Sequence, residues 1–365
     1  MSITSHQAAL LLCRLPKVGS LTAKKLIDQQ GSPLKVLEAK LFELKKIRGI
    51  GPSQLASLQN WTSYLSAITE EETFMTKQQL KAFVYGQKHY PTTLAHTADP
   101  PTVFFQKGAV NWANQRIISV VGTRTPSPAG REFCAQLIED LAPYTPLIVS
   151  GFARGIDIVA HRKAVAMQLE TVAVLGHSFG RWYPKEHSKE VATLLKSGAF
   201  VSEFWSSSPF VSSNFLRRNR IIAGLSHATI VVESGEKGGS LVTASQALAY
   251  GREVFAAPGR VSDSKSQGCL HLIKTDRARL ITSAADIVQW LEREEHRPKP
   301  VVQPDLFVSM TAEEKEVHAL LELPRSLDEI ALKRNKPIGE VAAILLQMEL
   351  KGTIRSLAGK RFEQV

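Results

Sequence analysis

The sequence predicts an α/β protein built on a parallel sheet, and three observations predict it. Seven short runs rich in β-branched and apolar residues recur in the middle of the chain: IISVVG (117–122), PLIVSG (146–151), TVAVLG (171–176), AFVSEF (199–204), ATIVVE (228–233), REVFAAPG (252–259) and ARLI (278–281). Each run passes into glycine or polar residues and then into a helical stretch, which is the pattern of strands buried on both faces and joined by crossover helices. The flanks differ in kind, with only helical pieces before residue 65 and a small mixed segment after residue 307. A chain of 365 residues accommodates two or three domains.

Composition narrows the function. With 44% hydrophobic and 22% charged residues, collagen-like, disordered and disulfide-scaffold classes are excluded. Lysine and arginine (45) exceed aspartate and glutamate (34), giving a net charge of +11. That excess favours anionic partners by long-range attraction, nucleic acid first. Cys13, Cys134 and Cys269 are far apart, with no CxxC and no histidine at zinc spacing, so the sequence predicts a reducing compartment and no structural metal. AALLLC near the start has no basic lead, too short an apolar run and a bulky Leu12 before the cysteine for a lipoprotein signal. No stretch approaches the roughly twenty apolar residues of a membrane span, and the expectation is a cytoplasmic protein without a membrane partner.

Residues 1–65 contain a near-repeat, LPKVGSLTAKKLI (Leu15–Ile27) and IRGIGPSQLASL (Ile47–Leu58). In each, an apolar residue precedes a glycine and a helix follows, as in tandem helix-hairpin-helix units. Such a turn brings backbone N–H groups to a phosphate regardless of base. Lys17, Lys24, Lys25, Lys45, Lys46 and Arg48 surround the two turns, and the region carries nine Lys/Arg against three Asp/Glu. Hairpins of this kind also serve purely for packing, and both readings stand at this stage. Residues 66–100 are expected to form a helix and an extended lead-in, so the core is placed at 66–295. HRPKPVVQPDLF (296–307) holds three prolines, and 296–306 reads as a stiff linker. In 307–365, Thr311-x-x-Glu314 and Ser326-x-x-Glu329 are capping boxes, a third helix covers about Pro337–Leu350, and Lys351–Phe362 reads as a hairpin, together a winged helix.

In a parallel sheet, ligands bind beyond the carboxyl ends of the strands. The segments there are GTRTPS (122–127), SGFARGID (150–157), SSNFLRRNRIIAGLS (212–226) and GEKGGSLVTA (235–244). Glycines, small hydroxyls and cations at helix starts make a phosphate-binding surface. Its predicted members are Gly122, Arg124, Ser127, Ser150, Gly151, Arg154, Arg217, Arg218, Asn219, Arg220, Lys237, Gly238, Gly239, Ser240 and Thr243, with no catalytic residue, metal or cofactor. Arg217 and Arg220, three apart, are expected to share a face; Arg218 and Arg220 point differently, so one of them is structural. Asp157 and His161 suit an acid/base pair by spacing, but a capping aspartate and a packing histidine are the favoured reading. Glu203 and Glu233 are expected to orient the arginines, and Tyr183-Pro184 to shape a turn. The sequence has no Walker-type phosphate loop, no G-x-G-x-x-G and no G-x-S-x-G with a triad.

VVGTRTPS, IVSGFARGIDIVAH, VAVLG…YP, NFLRRNRIIAGLS, VVESGEKGGSLVTA and the APG of VFAAPG together resemble, in order, the DNA processing protein A family (DprA, also called Smf). The flanks resemble that family's N-terminal sterile-alpha-motif or hairpin domain and its C-terminal winged helix. The resemblance implies a Rossmann-like core, often dimeric, that binds single-stranded DNA with little sequence preference and loads the RecA recombinase, in competent bacteria during natural transformation. It places Arg124 and the Arg217–Arg220 segment in the DNA-contacting basic pocket, and Gly238, Gly239, Ser240 and Thr243 in the phosphate-holding turn. His187, Cys269 and TDRARLI depart from the family's usual residues. Of the aromatics near the motifs, Phe152, Phe204, Trp205, Phe210 and Phe215, the last is the candidate base-stacker because it adjoins the arginines. A rival reading is a nucleotide-binding or nucleotide-hydrolysing enzyme of related fold with a PGGxGTxxE turn, whose glutamate KGGSLVTASQ lacks. A duplex-reading regulator is disfavoured: residues 307–365 carry nine Lys/Arg and nine Asp/Glu, and PIGEVAAILLQMELK has no basic residue before its end. That domain is expected to contact protein.

Overall fold

The computed structural model describes residues 3–113, 116–295, 310–357 and 359–364. The expected linker at 296–306 lies outside the described residues. The chain divides into two compact units, Met1–Val288 and Gln289–Val365.

The first unit opens with six helices: α1 (Ser5–Arg14), α2 (Ser20–Gln30), α3 (Pro33–Glu38), α4 (Leu41–Lys45), α5 (Pro52–Gln59) and α6 (Leu65–Gln78). Thr4 starts α1 through a capping box with Gln7, while Gly19 and Gly51 are the N-cap residues of α2 and α5. Both hairpins of the near-repeat therefore form, and their apolar residues Val18 and Ile50 are buried. The sequence places a domain boundary near residue 65, whereas the packing runs across it. Leu10, Leu11 and Ile68 belong to one apolar cluster with Phe105, Phe152 and Phe200 of the sheet region. Leu12, Leu26 and Ile47 belong to another with Phe104, Val121 and Leu147.

The sheet comprises β1 (Lys81–Val84), β2 (Val103–Gly108), β3 (Ile117–Val121), β4 (Leu147–Ser150), β5 (Thr171–Val174), β6 (Gly198–Ser202), β7 (Ala228–Val231), β8 (Glu253–Ala256) and β9 (Arg279–Leu280). Its order is β1-β2-β6-β5-β4-β3-β7-β8-β9. All seven runs read from the sequence are strands, and all seven pair in parallel. Strands β3 to β7 are buried at every position, which is why they read as continuous apolar runs. The lead-in contributes two further strands, with β2 antiparallel to β6 and β1 antiparallel to β2. The four residues of β1 alternate little in hydrophobicity, and they were legible only as extended chain.

Between β1 and β2 lies the short α7 (Thr92–Ala95), and the crossovers are α8 (Pro128–Leu141), α9 (Ile156–Ala166), α10 (Val191–Lys196), α11 (Ser213–Leu225), α12 (Gly239–Ala249) and α13 (Gln267–Lys274). From β3 the chain winds outward to β4, β5 and β6, then returns to place β7 on the other side of β3. The strand order reverses between the loops that follow β3 and β7, and a crevice is expected there. The helix α14 (Ala284–Glu295) leads out of this unit.

The second unit contains α15 (Ala312–Leu320), α16 (Leu327–Arg334) and α17 (Ile338–Leu350), with β10 (Arg325–Ser326), β11 (Ile354–Leu357) and β12 (Arg361–Gln364) in one small sheet. Both expected capping boxes are formed, Thr311 with Glu314 and Ser326 with Glu329. Val317, Ile330, Val341, Leu345 and Met348 form its core. This is the winged helix read from the sequence. Among the described residues, no helix is long and apolar enough to cross a membrane.

The shared cores make a prediction. Leu11→Ala, at a position fully shielded from solvent, is expected to cost about 2–5 kcal/mol. In urea unfolding, α1 and the sheet are expected to melt in one transition; a separate early loss of helical signal would show that the N-terminal helices form an independent domain.

Candidate nucleic-acid interface

Two adjoining pockets open at the reversal point. The first, of about 400 Å³, is lined by Gly122 and Arg124 from the loop after β3, Phe215, Arg218 and Asn219 from α11, and Ser234, Gly235, Gly238, Gly239, Ser240 and Thr243 from the loop after β7 and the start of α12. The second, of about 270 Å³, is lined by Arg124, Gly151, Arg154, Gly176, His177, Tyr183 and Phe215, among others. Arg124, Ala153 and Phe215 are common to both.

The first pocket has the chemistry of an anion site. Gly238 caps α12 without a side-chain hydrogen bond to the first turn, and open space surrounds the place where a Cβ on Gly239 would sit. Helix-start N–H groups and their partial positive charge are therefore accessible from the cleft. Ser240 donates to Ser234 Oγ (2.9 Å), tying the helix start to the end of β7. Arg124 is exposed and supplies a full charge at the mouth. Arg218 lies deeper, 3% exposed, with its guanidinium donating to the carbonyls of Gly151 (2.6 Å) and Val174 and to Asn219 Oδ1 (3.1 Å). Burial pulls Arg218 down to about 10, against the opposing charge of Asp157, so it is cationic at neutral pH.

Asp157 is buried beside it and accepts the Gly151 (3.1 Å) and Ala153 (3.3 Å) N–H groups, holding the loop after β4 in shape. Burial pushes this carboxyl up, against the pull of Arg218 and those N–H groups. The loop depends on Gly155, whose φ of +81° is left-handed and whose Cβ would collide with the Thr123 carbonyl and lie 2.6 Å from the Arg124 carbonyl carbon.

The second pocket is aromatic. Tyr183, Phe210 and Phe215 pack mutually edge-on, with ring centroids 5.2 to 5.7 Å apart, and His177 joins them at 5.8 to 6.4 Å. Arg181 stands over Phe210 at 5.1 Å. Phe215 reaches this position because residue 176 is glycine: a Cβ there would lie 2.7 Å from its ring. The Tyr183-Pro184 bond is cis, and the turn it forms carries Tyr183 into the cluster. His177 Nδ1 lies 2.8 Å from the Ser178 carbonyl, and burial lowers its pKa, so the ring is neutral at pH 7.

The structure thus gathers Gly122, Arg124, Arg218, Asn219, Gly238, Gly239, Ser240 and Thr243 around the first pocket and Gly151 and Arg154 around the second, with Phe215 between them. Other predicted members do not line either pocket. Arg220 is buried in an ion pair with Glu203 and donates to the Asp99 carbonyl, so it is the structural arginine of the pair; it shares a face with Arg217 as expected, since both reach the same Glu203 oxygen, but that face lines neither pocket. Arg217 is exposed, contacts Glu203 at 3.3 Å and lies 5.7 Å from the Phe204 ring centre. The cause is the winding of α11: the helix turns Arg218 toward the crevice and Arg220 toward β6 and residue 99. Ser127 caps α8, Ser150 donates to the Val120 carbonyl, and Lys237 points into solvent outside the pockets. Glu203 orients arginines as expected, but Glu233 instead accepts the Ser127 N–H (2.8 Å). His161 is buried, with Nδ1 2.7 Å from Thr171 Oγ1, in the packing role favoured for it.

Sequence reasoning missed the aromatic pocket as a unit. Its signal was the density of rings and glycine in GHSFGRWYP immediately after β5, read only as a turn.

A Rossmann-like sheet with a glycine- and arginine-lined crevice, followed by a winged helix, is the architecture of a class of nucleic-acid-binding protein. The DNA recombination-mediator protein A family profile matches residues 81–292, and the DprA winged-helix profile matches residues 302–360. The chain belongs to the DNA recombination-mediator protein A (DprA/Smf) family. It is 32% identical to Protein Smf of Escherichia coli over 87% of this chain and 93% of that one. It is 37% identical to the DNA processing protein DprA of Bacillus subtilis over 59% of this chain and 72% of that one. Among solved structures, DprA of Streptococcus pneumoniae superposes with a TM-score of 0.60 at 30% identity, over 79% of this chain and 98% of that one. DNA processing protein A of Helicobacter pylori, whose structure concerns its single-stranded DNA binding mode, gives 0.53 at 25% identity over 59% and 97%.

Two predictions arise from the buried charges. Arg220→Ala is expected to destabilise the fold by about 3–5 kcal/mol by removing the buried partner of Glu203, which keeps only the exposed Arg217, while Arg217→Ala shifts the urea midpoint little. Burial lowers His161 to about 3 and His227 to about 4, below the 6.5 of an ordinary imidazole. A depressed histidine adds stability above about pH 6.5 that is lost as pH falls, here about 2 kcal/mol for each ring between pH 7 and 5. The urea midpoint is expected to fall over that range, and less so in His161→Gln.

Proposed function

We propose that this protein binds single-stranded DNA at the strand-end crevice without reading base sequence and delivers it to the RecA recombinase, acting as a homodimeric recombination mediator in DNA processing during natural transformation. The observation that carries the reading is the adjacency of an anion pocket and an aromatic pocket joined by Arg124 and Phe215. A phosphate held by helix-start N–H groups and arginine carries no sequence information, and stacking on a ring tolerates every base. RecA delivery and dimerisation rest on the family and on the DNA-processing names of its relatives.

A role without catalysis is supported by the structural contacts the candidate acid and base groups make, with His161 Nε2 and Glu203 Oε1 buried without a hydrogen-bond partner. Asp157 accepts two backbone N–H groups, His161 is committed to Thr171, Glu203 to arginine and Glu233 to the start of α8. The winged helix is electrically neutral, and its third helix exposes Ile338, Leu346 and Leu350, which suits a protein contact.

The test is fluorescence anisotropy of a labelled single strand against its duplex across a salt series. Tight single-strand binding is expected, weakening with salt, with Arg124→Ala lowering the slope by about one counterion. Phe215→Ala is expected to cost about 1–3 kcal/mol of binding. Truncation near residue 300 is expected to leave single-strand affinity nearly intact. Equal duplex binding with both variants indifferent would reject the crevice as the DNA site, and tight binding of a mononucleotide in place of DNA would favour a nucleotide-processing enzyme.

A further inference from the structure

A third cavity, of about 570 Å³, runs along β1 at the outermost edge of the sheet, and the crevice does not use it. Its lining combines two half-buried rings, Phe83 and Trp112, with the exposed cations Lys81 and Lys88 and with His89, and it contains no carboxylate. The rings are fixed in place. Phe83 stacks on buried Phe104 with centroids 4.9 Å apart and planes 6° from parallel. Trp112 meets both edge-on, at 6.5 and 6.2 Å, and its Nε1–H donates to Gln106 Oε1 at 2.9 Å. Glu170, which approaches from β5, is engaged by the Asn111 N–H at 3.1 Å.

The wall of this groove touches the basic hairpins. The turn at Gly86 leaves room for Ile27 of α2, Tyr85 donates to Asp28 at 2.9 Å, and Lys24 Nζ lies 5.4 Å from the Tyr85 ring centre. Lys25, one residue on, is exposed, as are Lys17, Lys45, Lys46 and Arg48 around the hairpin turns. The α2 hairpin and the chain that lines the groove therefore adjoin at Tyr85 and Gly86. An ordered pair of half-buried rings in a groove lined by cations and no carboxylate matches the chemistry of a base flanked by phosphates, a ring for the π-face and cations for the backbone.

We propose that the β1 groove is a second contact site for single-stranded DNA, taking a base on the Phe83/Trp112 platform and its phosphates on Lys81 and Lys88. The inference rests on the reading of the crevice only in assigning both sites to one strand. Four strand spacings of about 4.8 Å separate β4 from β1, so a short oligonucleotide fills the crevice alone and a long one reaches both. The groove extends the length of DNA held and adds affinity only beyond the crevice's own span.

The test compares labelled oligothymidylates of about 6 and about 30 nucleotides, short and long against the site sizes of single-strand binders, on the full-length protein. Trp112→Ala and Lys88→Glu are each expected to weaken the long strand about 5- to 20-fold and to leave the short strand unchanged. Part of the tryptophan fluorescence is expected to quench with the long strand in the wild type and to be missing from that response in Trp112→Phe, a substitution that preserves a ring for folding. Long-strand affinity unchanged in Lys88→Glu and quenching unchanged in Trp112→Phe would overturn the proposal and leave the groove to a protein partner. Failure of the crevice reading looks different: the short strand then goes unbound, or binds indifferently to Arg124→Ala.

Discussion

The crevice depends on a buried charge, Arg218, set beneath two strand ends. Its guanidinium donates to the carbonyls of Gly151, which follows β4, and Val174, which ends β5, while Asp157 beside it gathers the Gly151 and Ala153 N–H groups. A guanidinium so placed is stable only while those acceptors stay in position, since stripping a buried charge of its partners costs about 3–5 kcal/mol. The loops after β4 and β5 are thereby locked to α11, and α11 in turn presents Phe215 and Asn219 to the two pockets. Charge and shape come from the same contact: the residue that makes the pocket floor positive also fixes the loops that form its walls.

That arrangement separates three arginines by role within four residues of one helix. Arg217 lies at the surface, Arg218 under the cleft and Arg220 between Glu203 and Asp99. Only Arg218 combines access to the pocket with a rigid position. Arg124 complements it from the exposed side of the site, a cation on a loop, and the pairing of one buried and one exposed positive charge suits a ligand whose phosphates repeat while its bases vary.

Much of this was legible in the sequence, for identifiable reasons. The seven parallel strands show as apolar runs because both faces are covered, and the capping boxes at Thr311 and Ser326 name helix starts by reciprocal hydrogen bonds. Gly238 to Thr243 read as an anion site because glycine and small hydroxyls at a helix start have few other uses in combination. The arginine roles were not legible, because a helix resolves neighbours by about 100° and the sequence does not say which direction is the crevice. Nor was the aromatic pocket, whose His177, Tyr183, Phe210 and Phe215 come from two loops and a helix and meet only after β5, β6 and α11 are assembled. The same applies to Phe83 and Trp112, 29 residues apart in the sequence and brought together with the antiparallel pairing of β1 with β2.

The distribution of charge over the molecule then acquires a physical sense. Residues 1–65 hold more than half of the net excess, the crevice loops concentrate arginine, and residues 307–365 sum to zero. Counterion release scales with the phosphates neutralised, so the charge distribution favours the first unit, whose hairpins and sheet share continuous apolar cores, as the seat of the proposed polyanion binding. A neutral winged helix adds no such attraction. Its third helix instead leaves Leu346 and Leu350 exposed, surface that is more economical to cover with protein than to leave in water. A first unit that carries the positive excess and a winged helix with no net charge to add to it fit the proposed division between holding a flexible polyanion and meeting another protein.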